Sequence, residues 1–289
     1  MPDGILIVDK PAGWTSMDVC AKIRGILREK RVGHAGTLDP MATGVLPVFV
    51  GRATKAVSFA ESGEKEYLAA LRLGLVTDTQ DITGEVLETH DASAVTEAEV
   101  RAVLPRFTGE LSQIPPMYSA VKVHGQRLYA LARKGQEVER KPRSVTIFQL
   151  ELAGRNEEGD FLLRCRCSKG TYLRTLCHDI GASLGPGGTM TALRRTMAAG
   201  YPLSEAVSLE DIQEKGEALL RPMDTLFAGY PAYAIPTEGK ERRARCGNPI
   251  TAPGLADGTY RVYDRAGELL CLSRAEGGTL TSIKNFFGG

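Results

Sequence analysis

Residues 31–44 carry Gly33, Gly36, Pro40 and Gly44 in close succession. Proline removes a backbone donor and glycine removes the side-chain bias on φ, so this spacing marks an irregular loop. Apolar runs bracket it. Gly4–Val8 ends at Asp9-Lys10-Pro11-Ala12-Gly13 and reads as a buried strand closed by a turn. Thr15 or Ser16 can cap a following helix, with Val19, Ile23, Ile26 and Leu27 on one face. Val45–Val50 resumes as a strand.

Beyond the loop the pattern is mixed. Glu66–Leu73 alternates as a strand, with Tyr67, Ala69, Leu71 and Leu73 on one face. Asp78–Gly84 is a polar turn, and Glu85–Glu88 returns as a strand. Thr96-Glu-Ala-Glu is a capping box for a helix to about Phe107. The spacing predicts a short helix over Arg127–Lys134. Ser144–Ala153 and Asp160–Cys167 flank Gly154-Arg-Asn-Glu-Glu-Gly159 as a hairpin. Helices follow over Thr171–Leu184, stopped by Gly185-Pro-Gly-Gly188, and over Leu209–Glu217. After Pro231 short strands and turns replace helical patterns, which indicates a small β domain, a barrel or sandwich. The chain of 289 residues therefore divides near residue 232, with units at 1–232 and 233–289.

The net charge of +1 does not announce a nucleic-acid binder. Its distribution is more informative. Pro115–Arg143 holds seven Lys or Arg, including Lys122 and Arg140, against two Glu. Such a segment can bind phosphates, although a solvated charged face is the commoner explanation of a charge run. The six cysteines include no Cys-x-x-Cys pair. Cys165, Cys167, Cys177 and His178 have poor spacing for zinc, so no metal site is expected and reduced thiols are. The N-terminus lacks the pattern of a signal peptide, and no stretch approaches the roughly 20 apolar residues of a membrane span. A soluble, cytoplasmic protein is expected.

Three segments hold residues with chemical potential. Asp39 precedes Pro40, which restricts it to extended backbone and fixes its direction. A carboxylate there can act as nucleophile or general base, or simply close an Asx-turn. Tyr67 begins a strand beside Glu64, Lys65 and Glu66. Its ring can stack on an extruded base, or pack in a core. Arg174 lies in the first turn of a helix, where the dipole gives a cation no benefit. A carboxylate or phosphate partner would justify it; a surface position would need none.

These segments also form a set. Gly33-His34-Ala35-Gly36-Thr37-Leu38-Asp39-Pro40-Met41-Ala42-Thr43-Gly44-Val45-Leu46-Pro47, Lys65-Glu66-Tyr67 and Cys167-Ser168-Lys169-Gly170-Thr171-Tyr172-Leu173-Arg174-Thr175 resemble the motifs of the bacterial tRNA pseudouridine-55 synthases, the TruB family. Gly4-Ile-Leu-Ile-Val-Asp-Lys-Pro-Ala-Gly-Trp-Thr-Ser16 and Gln113-Ile-Pro-Pro-Met-Tyr-Ser-Ala-Val-Lys122 agree as well. The likeness runs in order from residue 4 to about 230.

The resemblance implies an α+β pseudouridine-synthase fold, with a mixed, largely antiparallel central sheet flanked by helices. It implies isomerisation of the uridine at position 55 in the tRNA T-loop, by base flipping and without cofactor or metal. Asp39 would be the catalytic aspartate, Arg174 its partner and Tyr67 the stacking tyrosine. His34 would hold the T-loop, and Leu193 would line the uracil pocket. Lys10, Gly36, Thr37, Leu38, Tyr172 and Lys122 would complete the substrate-binding surface, Lys10 as a support. The insertion at about 115–143 would fold over the T-arm. Residues 233–289 would form a PUA-like β-barrel touching the acceptor stem. A monomer is expected. Two other classes fit parts of the pattern: an RNA chaperone without chemistry, and a hydrolase pairing Asp39 with Asp78 or Asp81.

Overall fold

The computed structural model describes residues 1–119, 122–123, 125–132, 135–136 and 138–288. Its centre is a nine-stranded mixed sheet. In spatial order its main path is Gly4–Lys10, Thr43–Val50, Gly188–Ala198, Lys65–Leu73, Phe161–Cys167, Arg143–Arg155 and Gly109–Gln113. Val32–His34 and Tyr201–Pro202 add short strands to its flank. Every pairing is antiparallel except that of Thr43–Val50 with Gly188–Ala198. That parallel seam sets the residues after the loop directly beside Arg194 and Arg195.

Local chemistry explains most element ends. Thr15 caps the helix Ser16–Leu27 in a capping box with Asp18, which leaves Ser16 free for another task. Thr96 and Glu99 form the expected box on Glu97–Val103, and Pro105 tightens the next turn, Leu104–Phe107, into a 3₁₀ helix. The hairpin strands run Arg143–Arg155 and Phe161–Cys167. The helix predicted from Thr171 instead starts at Leu173, with Tyr172 at its cap and no side-chain cap bond. Thr171 donates to the Ser168 carbonyl, while Gln113 grips Tyr172 from the sheet edge, accepting its N–H at 2.8 Å and donating to its carbonyl at 3.0 Å. The helix predicted over Leu209–Glu217 ends at Lys215 and continues as a 3₁₀ turn. Within the basic segment, Leu128–Ala132 is helical.

Leu173–Leu184 packs on one sheet face, where Leu71, Ile147, Leu163, Leu176, Ile180 and Met190 meet in a buried cluster. Ser16–Leu27 packs toward the edge strands through Val19, Ile23 and Leu27. A second sheet has five strands, in the order Ala232–Ala234, Gly258–Tyr263, Leu269–Glu276, Thr279–Asn285 and Ile250–Thr251. Phe286 leaves it to join Phe59 and Phe227, with ring centroids 5.3–6.4 Å apart. Among the described residues, no helix is long and apolar enough to cross a membrane.

Candidate active site

Asp39 sits in the loop between Val32–His34 and Thr43–Val50, and neighbouring groups fasten that loop. The Ser16 hydroxyl accepts the Leu38 N–H at 2.9 Å. Gly13 N–H donates to the Pro40 carbonyl at 2.8 Å, and Ala42 N–H to that of Asp39 at 3.0 Å. Lys10 is completely buried, and its ammonium donates to the carbonyls of Pro11, Trp14 and Pro40. Burial lowers the Lys10 pKa to about 8 despite the opposing pull of Asp39. Gly44 is required by geometry: its φ is +100°, and a Cβ there would lie 2.2 Å from the Arg195 carbonyl oxygen. Leu38 and Ala42 are buried, whereas the Asp39 side chain remains 39% exposed. The loop is thus anchored by its apolar residues and backbone, with the carboxylate left reachable.

Arg174 supplies the countercharge. Its side chain is only 6% exposed. Nη2 lies 3.1 Å from Asp39 Oδ2, and Nη1 lies 3.1 Å from Asp81 Oδ2. The guanidinium also donates to the carbonyls of Tyr118 and Thr79. Asp81 is buried, and its other carboxylate oxygen accepts from Thr79 Oγ1, Thr83 N–H and Thr83 Oγ1. Burial pushes the Asp39 carboxyl above the ordinary carboxylate range. Arg174 pulls it down, Asp81 adds an upward push, and Lys10 a smaller downward one.

Tyr67 stands on the neighbouring strand, in the same buried cluster as Leu38, Leu173 and Leu193. Leu38 and Leu173 directly adjoin Asp39 and Arg174 in the chain. The cluster on which the ion pair borders thus also holds a tyrosine and a leucine, Tyr67 and Leu193. Burial raises the Tyr67 phenol pKa, and the Arg195 guanidinium opposes that rise. His34 is half-buried; its pKa is lowered by burial and by Arg195, and its Nδ1 has no partner among the described residues. A part-exposed carboxylate paired with a buried guanidinium suits nucleophilic or general-base chemistry.

The TruB family pseudouridylate synthase N-terminal domain matches residues 24–173, and the tRNA pseudouridylate synthase B C-terminal domain matches residues 174–228. The tRNA pseudouridine synthase B of Thermobifida fusca is 42% identical across the whole of both chains. That of Clostridium tetani is 50% identical over 81% of each. The chain belongs to the TruB family. It is a pseudouridine synthase. Among solved structures, a chain of a Cbf5–Nop10–Gar1 complex superposes with TM-score 0.73 at 26% identity, covering 98% of this chain and 85% of its own. A chain of an H/ACA ribonucleoprotein bound to a substrate RNA containing 2′-deoxyuridine gives 0.72 at 25%, over 99% and 85%.

Within this TruB-family chain, the fold pairs Asp39 with Arg174 and places Tyr67, Leu38 and Leu193 in one buried cluster. Thr37 is exposed on the loop beside them, and Tyr172 and His34 are half-buried. Gly36 turns its carbonyl inward to Arg195. Lys10, expected at the substrate-binding surface as a support, is fully buried and braces the loop, its three donors taken by carbonyls. The Lys122 side chain lies outside the described residues. Two groups were missed. Asp81, considered only as a second hydrolytic carboxylate, is the further partner of Arg174. Arg195, two residues after Leu193, is buried beneath the loop. Its only sequence signal was its place in the segment that carries Leu193.

Proposed function

We propose that the chain converts uridine to pseudouridine at position 55 in the T-loop of tRNA. The part-exposed Asp39 carboxylate, ion-paired with buried Arg174 at the border of the cluster that holds Tyr67 and Leu193, carries this reading. The target base must leave its stack, at a cost of a few kcal/mol, and a flat apolar surface returns part of that cost. Tyr67 receives the ring face and Leu193 its edge. The Arg174 guanidinium keeps Asp39 ionised and aimed. The C1′–N1 bond then breaks, the uracil turns, and a C1′–C5 bond forms. The proton lost from C5 is balanced by one gained at N1, so atoms and charge close without an outside reactant.

Residues 1–232 form the catalytic unit. The basic insertion at about 115–143 covers the T-arm, its cations binding phosphates without reading sequence. Residues 233–289 form a PUA-like unit whose five-stranded sheet and cationic helix Glu238–Arg245 meet the acceptor stem. The protein acts as a monomer in the cytoplasm. Unmodified tRNA and an isolated T-arm hairpin, incubated with the protein and mapped for pseudouridine, test the reading. Product at position 55 in both supports it. Product elsewhere, or binding without product, sinks it, the latter in favour of a chaperone.

A further inference from the structure

Arg195 is among the largest fully buried side chains of the molecule, at 1% exposure. Its Nε donates to the Val45 carbonyl at 2.6 Å and its Nη2 to the Gly36 carbonyl at 3.0 Å. These carbonyls flank Asp39 on either side in the chain. Register puts Arg195 opposite Gly44 on one neighbouring strand and opposite Tyr67 on the other. The strand shifts register between Arg195 and Met197, an irregularity of the kind that redirects a side chain. A Cβ on Gly36 would come within 3.3 Å of Nη1, so the loop rests directly on the guanidinium. One planar group thus touches both ends of the aspartate loop and stands in register with Tyr67 on the next strand.

We infer that Arg195 is a positioning residue that fixes the Asp39 loop and the Tyr67 ring relative to each other. The guanidinium fork is suited to this, since it reaches two carbonyls in fixed directions, which an ammonium cannot reproduce. Burying a charge is expensive, and interior apolar packing alone would not call for it. The inference rests on the isomerase reading for its rate measurement, but not for its structural one. Misplacement of reacting groups by about an ångström costs on the order of 100-fold.

The test uses Arg195→Lys, which retains charge, and Arg195→Met, which retains bulk, each checked for folding by thermal melting. With unmodified tRNA, the single-turnover rate should fall about 10- to 100-fold while RNA affinity stays within about twofold. Hydrogen exchange over residues 35–44 should accelerate, with Phe161–Cys167 unchanged. Combining Arg195→Lys with Tyr67→Phe should cost less than the product of the single losses, because both act on one ring. Wild-type rate with unchanged exchange overturns the inference, and so do fully multiplicative losses. If the wild-type chain forms no pseudouridine, the functional reading fails, and exchange over 35–44 in either folded variant still decides whether Arg195 clamps the loop.

Discussion

The two sheets treat charge in opposite ways. The nine-stranded sheet, with the loops and the helix Leu173–Leu184 packed on it, buries Lys10, Lys65, Asp81, Asp160, Arg174 and Arg195. The five-stranded sheet and its helix bury only Asp264 among their described charged residues, and Arg245 pairs with it at 2.7 Å. Of their remaining cations, Arg242, Arg243, Arg265, Arg274 and Lys284 are exposed, and Lys240 and Arg261 are part-buried. Each buried ion costs several kcal/mol before its partners compensate. The first region therefore spends stability to hold groups in fixed places, as a reaction centre requires. The second keeps its charge outside, as a phosphate-binding surface does. The difference accords with the proposed division between a sheet that carries the chemistry and one that holds RNA, and substitutions in each can test that division.

The largest effect belongs at Asp39. Asp39→Asn keeps the shape and removes the charge, so the rate of pseudouridine formation should fall by roughly 10³-fold or more, with tRNA affinity retained. Comparable loss of affinity would recast Asp39 as part of the binding surface. Arg174→Leu comes next. It strands the buried Asp81 carboxylate, and breaking such a pair costs roughly 3–5 kcal/mol. Urea unfolding should show that loss. It should also move the acid limb of the rate–pH profile upward, because Arg174 is what pulls the Asp39 carboxyl down.

Asp81→Asn separates the two halves of this network. Its charge pushes the Asp39 carboxyl up, so removing it lets Asp39 ionise at lower pH. The acid limb should move downward, opposite to that of Arg174→Leu. An upward shift would show that Asp81 acts on Asp39 only by steering the guanidinium.

Asp39 and Arg174 were legible because their segments are short and contiguous: a Gly/Pro loop fixes one, and a cation with no helix-dipole benefit demands a partner for the other. The partner Asp81 was not, because it lies 93 residues from Arg174 and local spacing says nothing across that distance. The hairpin through Phe161–Cys167 was legible by alternation. Gly188–Ala198, on the other side of Lys65–Leu73, carries no such signal in the sequence. It starts at a glycine, breaks register twice and carries a buried arginine, so its apolar alternation is erased. That same strand holds Leu193 and Arg195. Arg195 escaped notice because it reads as half of an exposed Arg-Arg pair, whereas only Arg194 points outward, to Asp9. The interleaved sheet order, with Lys65–Leu73 between two strands far later in the chain, is likewise a long-range outcome.

The smallest effect tests the second sheet. On Glu238–Arg245, Arg245 is committed to Asp264 and Glu241, and Arg243 donates to the Pro249 carbonyl. Arg242 is exposed and forms no ion pair among the described residues, so it is the side chain most available to a phosphate. Arg242→Ala should weaken tRNA binding and lower the magnitude of the slope of log affinity against log salt by about one. The single-turnover rate at saturating enzyme should not change, because the helix belongs to the second sheet and none of the groups that set Asp39 lies on it. The T-arm hairpin, which lacks an acceptor stem, should bind the variant and the wild type equally. An equal loss on hairpin and full tRNA would move this helix from the acceptor stem to the T-arm. A lowered rate at saturation would break the division between a sheet that reacts and a sheet that holds.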